Sequence, residues 1–163
     1  MTRSPLFRIA LAALATSAPA MAQAKDLNGR FGVGAEQSFG GLSALSVRFG
    51  FPTGKPTLNI GVGVDAGLDA LSGGSPDYYG GARLYFGVVA EDNMNLYLGA
   101  AAGYASVGGT NAIRIAPDIG AEFFLFGLEN LGFLAEMSVN VDIGSATEIS
   151  TWGSPAVGFH YYF

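Results

Sequence analysis

The sequence predicts an all-β fold, an eight-stranded antiparallel up-and-down β-barrel. Three observations predict it. Eight separate segments alternate apolar residues with small or polar ones, the period of a half-buried strand. Turn-forming residues punctuate those segments, and the last of them closes the chain on Gly158-Phe159-His160-Tyr161-Tyr162-Phe163.

Taken in order, residues 1–22 read as a signal peptide that is removed on export. Arg3 and Arg8 form its basic start, Ile9 to Ala15 its apolar stretch, and Ala20-Met21-Ala22 its small-residue cleavage site. The apolar run is too short for a membrane-spanning helix, which needs about 20 residues. Residues 23–163 then form one barrel domain. Its first strand alternates Phe31, Val33 and Ala35 with Gly32, Gly34 and Glu36, and its second Leu45, Val47, Phe49 and Phe51 with Ala44, Ser46, Arg48 and Gly50. The third sets Leu58, Ile60, Val62 and Val64 against Gly61, Gly63 and Asp65, and the fourth Ala82, Leu84, Phe86 and Val88 against Gly81, Arg83, Tyr85 and Gly87. The fifth sets Leu96, Leu98, Ala100 and Ala102 against Tyr97, Gly99, Ala101 and Gly103, and the sixth Ile113, Ile115, Ile119 and Phe123 against Arg114, Asp118, Gly120 and Glu122. Phe133, Ala135, Met137, Val139 and Val141 carry the seventh against Glu136, Ser138, Asn140 and Asp142, and Val157, Phe159, Tyr161 and Phe163 the eighth. Tight turns are expected after the even strands and loops at Ser38–Leu42, Leu68–Tyr78, Ser106–Asn111 and Ser145–Thr151.

Composition narrows the classes. Half the residues are hydrophobic, 13% are charged, mean hydropathy is +0.36, and there are 25 glycines and no cysteine. So apolar a chain does not stay disordered, glycine without a three-residue period is not collagen, and neither a disulfide nor a cysteine metal site exists. A net charge of −5 without a basic block speaks against nucleic acid.

Alternation leaves open which face points outward. A soluble barrel fills its inside with the apolar face; an outer-membrane barrel turns that face to lipid. Here the polar face is mostly glycine, alanine and serine, suited to a narrow lumen. Its charges are mixed in sign: Arg30, Arg48, Arg83 and Arg114 against Glu36, Asp65, Asp118, Glu122, Glu136 and Asp142. Buried charges must pair, and arginine is the residue best built for it. Aromatics sort to two rims, Phe31, Phe49, Phe51, Phe86, Phe123, Phe133, Tyr161 and Phe163 at one and Tyr78, Tyr79, Tyr104 and Trp152 at the other. The reading is therefore a transmembrane barrel with a lumenal charge network.

The terminal Gly158, Tyr161 and Phe163 resemble the carboxyl-terminal insertion signal of bacterial outer-membrane proteins. With the strand count and turn pattern, residues 28–163 resemble the small eight-stranded outer-membrane barrels, the class of the OmpA membrane domain and OmpX. The resemblance implies location in the bacterial outer membrane, both termini periplasmic, and insertion by the barrel-assembly machinery. It departs from OmpA in lacking a periplasmic peptidoglycan-binding domain, and its short loops weaken an adhesin reading.

No catalytic, cofactor or metal site is expected, and no cofactor. His160, the single histidine, sees its nearest strand serine, Ser154, about 20 Å away, too far for a base to activate a hydroxyl. The expected function is a non-enzymatic barrel, favoured as a monomer, that stabilises the envelope or mediates surface contacts, with outer-membrane lipid as its surroundings. Alternatives are a narrow channel or small-solute carrier, and a soluble periplasmic ligand-binding barrel.

Overall fold

The computed structural model describes residues 25–38, 42–55, 58–69, 76–151 and 155–163. The expected signal segment, and Pro56, Trp152 and Ser154, lie outside the described residues. Ten strand segments are present among the described ones: β1 (Phe31–Ser38), β2 (Leu42–Gly50), β3 (Ile60–Asp69), β4 (Asp77–Glu91), β5 (Met94–Val107), β6 (Thr110–Phe124), β7 (Leu131–Ser138), β8 (Asn140–Ile143), β9 (Thr147–Ser150) and β10 (Ala156–Tyr162). They make eight staves, all antiparallel, because β7 and β8 continue one another along β6, and β9 and β10 follow them on the next stave. The wall closes where β1 pairs with β10, from Gly32↔Tyr162 to Glu36↔Gly158.

The interruption between β7 and β8 has a covalent cause. Register along β6 is continuous across it, from Asp118↔Ser138 to Ile115↔Val141. Val139 N–H donates to the Pro117 carbonyl at 3.1 Å, but Pro117 has no N–H to return. Elsewhere the register does shift. A bulge at Val88 separates Gly87↔Tyr97 from Val89↔Leu96, so Val88 and Val89 both face outward, where simple alternation would turn one inward.

The strands outrun their apolar pattern. The expected loop at Ser106–Asn111 is a two-residue turn, Gly108-Gly109, with φ of 58° and 78°, the left-handed pair that a tight hairpin requires. Asp69 pairs with Asp77, and β9 occupies most of the expected Ser145–Thr151 loop. Backbone pairing continues into polar sequence because ladder hydrogen bonds do not depend on side-chain polarity.

The facing of the strands matches the expected phase. Ala44, Ser46, Arg48, Asp65, Arg83, Tyr97, Ala101, Asp118, Glu122, Glu136, His160 and Tyr162 are buried inside the barrel. Leu45, Val64, Leu84, Leu98, Ile115, Ile119, Met137 and Phe159 stand exposed outside it. Tyr78 and Tyr104 stack on the outer wall at 6.2 Å. Tyr79 is a correction: neighbours on a strand face opposite ways, and Tyr79 lies in the lumen, 3% exposed, rather than on a rim.

Candidate functional site

The lumen holds the chemistry, in three layers. The middle layer centres on Arg83 and Arg48. Arg83 reaches Asp65 through Nε at 3.0 Å, Glu36 through Nη2 at 2.9 Å and Glu136 through Nη1 at 2.6 Å. Arg48 bridges the same two glutamates, at 3.1 Å to Glu36 and 3.0 Å to Glu136. Its guanidinium lies 4.3 Å from the centre of the Tyr85 ring, and the Tyr97 hydroxyl donates to Glu136. Five strands thus contribute to one cluster of two cations and three carboxylates. Buried charges survive in such mutual contact, since each alone would cost several kcal/mol.

Toward the end where β1 begins and β10 ends, Tyr162 Oη donates to both carboxylate oxygens of Glu122, at 2.8 and 2.9 Å. His160 Nε2 lies 2.9 Å from Ser46 Oγ, and its Nδ1 3.8 Å from Glu122. The serine that His160 meets is thus Ser46, on another strand, which a search along its own strand to Ser154 does not find. Ser46 is 114 residues away in sequence and meets His160 over Gly34, which both residues face from the two strands flanking β1, where the periodicity of one strand could not point. Asp118 also faces the lumen, 7% exposed, with no hydrogen-bond partner among the described residues on either carboxylate oxygen.

Toward the loop end, Leu42, Tyr79, Ala101, Ala105 and Ala116 form an apolar cluster. On β6, Ala116 separates Asp118 from Arg114, whose Nε and Nη2 grip Asp142 at 2.5 and 2.6 Å. That pair lies in a vestibule of about 410 Å³, with Asn111, Glu148 and Ser150 also on its wall. The ten expected network residues therefore divide. Six carry the layers around Arg83 and Glu122, Arg114 and Asp142 form a separate pair at the mouth, Asp118 has no hydrogen-bond partner among the described residues, and Arg30 donates to Asn130 Oδ1 at 2.5 Å. Arg114→Ala is accordingly expected to cost only about 1–2 kcal/mol, since the freed Asp142 already borders the vestibule; a urea unfolding midpoint checks this.

Lumenal glycines make the layers fit. A Cβ at Gly120 would lie 2.5 Å from the Tyr97 ring, one at Gly103 2.7 Å from Tyr79, and one at Gly32 2.7 Å from Tyr162. Each large side chain lies over a residue that has none, which fills an eight-stranded interior with little room to spare.

The terminal motif is divided between the two faces. Gly158 turns inward, where a Cβ would meet Glu36 Cβ at 2.6 Å. Tyr161 and Phe163 face outward in edge contact, 5.1 Å between centroids. Among the described residues no group of three or more His, Asp or Glu side chains is arranged to hold a metal ion. No family model matches the chain, and neither the curated proteins nor the solved structures include a significant match.

Proposed function

We propose that the protein is an integral outer-membrane β-barrel, non-enzymatic, with a structural or surface-contact role in the cell envelope and both termini on the periplasmic side. The observation that carries this reading is the inverted distribution of polarity. Every stave presents large apolar side chains outward, while arginines and carboxylates fill the interior. At about 4.8 Å per strand, a belt eight strands round and some seven residues tall covers on the order of 1,000 Å². A soluble monomer seldom exposes an apolar patch of more than a few hundred. Lipid is the solvent in which that belt costs nothing.

The layered lumen favours a structural barrel over a channel, since the Arg83 cluster and the Tyr79 cluster stand in series across it. The Ser46–His160 pair supports the non-enzymatic reading, because neither side chain has exposed surface for a substrate to reach. The outward Tyr161 and Phe163 are consistent with a terminus handed to the barrel-assembly machinery.

Leu84→Arg tests the proposal. Leu84 is 62% exposed on the outer wall. In a bilayer, arginine there is expected to destabilise the barrel by about 2–4 kcal/mol, whereas on a water-facing wall it is expected to be neutral. Unfolding in lipid vesicles gives the number, and fractionation gives the address. Wild-type protein recovered in the soluble periplasm, with Leu84→Arg equally stable, would replace this reading with a soluble ligand-binding barrel.

A further inference from the structure

The chain does not enter the barrel wall directly. Before β1, residues 25–28 run across the end of the lumen where β1 begins and β10 ends, and the wall there is shaped to receive them. Lys25 N–H donates to the Glu91 carbonyl at 3.1 Å. The Lys25 carbonyl accepts from two asparagines on different strands or their flanks, Asn59 Nδ2 at 3.2 Å and Asn95 Nδ2 at 3.3 Å. Asn59 also accepts from Leu27 N–H at 3.2 Å through its Oδ1, so one amide holds the segment from both sides. Lys25 Nζ stands 5.2 Å from the centre of the Phe124 ring and 3.9 Å from Glu129.

Gly50 is the second element of this dock. A Cβ there would lie 2.0 Å from the Leu27 carbonyl oxygen, so the segment lies flat on the wall only because residue 50 has no side chain. Leu27 in turn closes a cavity of about 50 Å³ whose other walls include Arg48, Tyr85, Tyr97 and Glu122. Directly behind the segment lies the charged middle of the lumen.

We propose that residues 25–28 are a latched strap that seals this end of the lumen, held by the Asn59–Asn95 clamp on the Lys25 carbonyl and by the flat seat at Gly50. Gly29 and Arg30 bond backbone to backbone with Gly50 and extend the β1–β2 ladder, forming the hinge. Residues 25–28 are held by the clamp, by the Lys25 bond to the Glu91 carbonyl and by Asn28's bonds to Thr53 and Lys55, all outside the continuous ladders. The strap can therefore lift while the barrel stays closed. Lifting would admit water and small solutes to the Arg48–Glu136 layer from this end alone, because the Leu42–Tyr79 cluster blocks the other.

The absence of native cysteine permits a direct test. Phe124→Cys places a thiol in the buried position under Lys25, and Thr110→Cys places one on exposed chain at the opposite end. Both are measured in the full-length folded protein with a small water-soluble methanethiosulfonate reagent, in whichever solvent the protein is purified. The test is thus independent of the membrane assignment. In the parent, Cys at 124 is expected to react much more slowly than Cys at 110. Gly50→Ala, which unseats Leu27, and the double Asn59→Ala/Asn95→Ala, which removes the clamp, are each expected to raise the rate at 124 about tenfold, the worth of one to two hydrogen bonds in an opening equilibrium. The rate at 110 should stay constant. Should Gly50→Ala fail to fold, the asparagine double variant decides alone. A thiol at 124 that reacts as fast as that at 110 in the parent would overturn the seal. A rate at 124 unchanged by the folded clamp variant would overturn the latch.

Discussion

Replacing Arg83 with alanine is expected to cost about 3–5 kcal/mol of stability, the largest loss of any single charge in the protein. Arg83 is 2% exposed and touches three carboxylates on three other strands, Asp65, Glu36 and Glu136. Its removal takes a cation from three carboxylates that are each no more than 4% exposed. Arg48 can compensate only in part, because its contacts go to Glu36 and Glu136 and leave Asp65 without a cation. Arg83→Lys should fall between wild type and alanine. It keeps the charge but a single ammonium cannot divide itself among three acceptors as the guanidinium fork does. Urea unfolding midpoints of the three proteins would rank them, and heat-modifiable gel migration would show which still close. An alanine variant as stable as wild type would mean that the cluster contributes no net stability.

Gly34→Ala should be equally severe for a different reason. A Cβ at residue 34 would lie 1.8 Å from the backbone oxygen of Phe159 on the partner strand. A side-chain neighbour could rotate away, but a backbone carbonyl can move only with its strand. The loss is expected to be about 3 kcal/mol or more, at the upper end for overpacking. The ladder concerned is the one that closes the barrel, so failure should appear as loss of heat-modifiable migration as well as of stability. Gly80→Ala supplies the control. It lies on β4, three staves from β1, facing outward with nothing within 4 Å of its Cβ position, and is expected to be neutral. If the two alanines behave alike, close approach at Gly34 is not what selects glycine there.

What could be read from the sequence followed the physics of a single strand. Side-chain direction alternates within a strand, so the inward set, from Arg48 and Asp65 to Glu136 and His160, was legible from local pattern. Polarity of the two faces then pointed to the inverted barrel. Contacts between staves were not legible, because they depend on the stagger of one strand against another. Ser46 meets His160, and Arg83 meets Glu36 and Glu136, through register alone. The same limit explains Tyr79, whose aromatic character suggested a rim although its position next to Tyr78 on one strand sends it inward. The bulge at Val88 left no mark in an all-apolar Gly87-Val88-Val89-Ala90 stretch. The strap escaped notice because Asn59, Asn95 and Gly50 are ordinary turn and strand residues until a segment from elsewhere is laid across them.

The closing ladder between β1 and β10 has a further consequence, in time rather than in space. It joins residues 32–36 to residues 158–162, and Phe163 N–H reaches the Phe31 carbonyl at 2.8 Å. Every other neighbouring pair of staves follows directly in sequence, and β5 and β6 are joined by only two residues. Bringing distant ends together costs more chain entropy than zipping a hairpin, and folds slow as contacts become less local. The β4–β5–β6 hairpins therefore have the means to form early, each stave templating the next. The barrel is an open, curling sheet with two raw edges until its first and last strands meet, so the seam at Gly34 carries the largest loop-closure cost of any ladder in the wall.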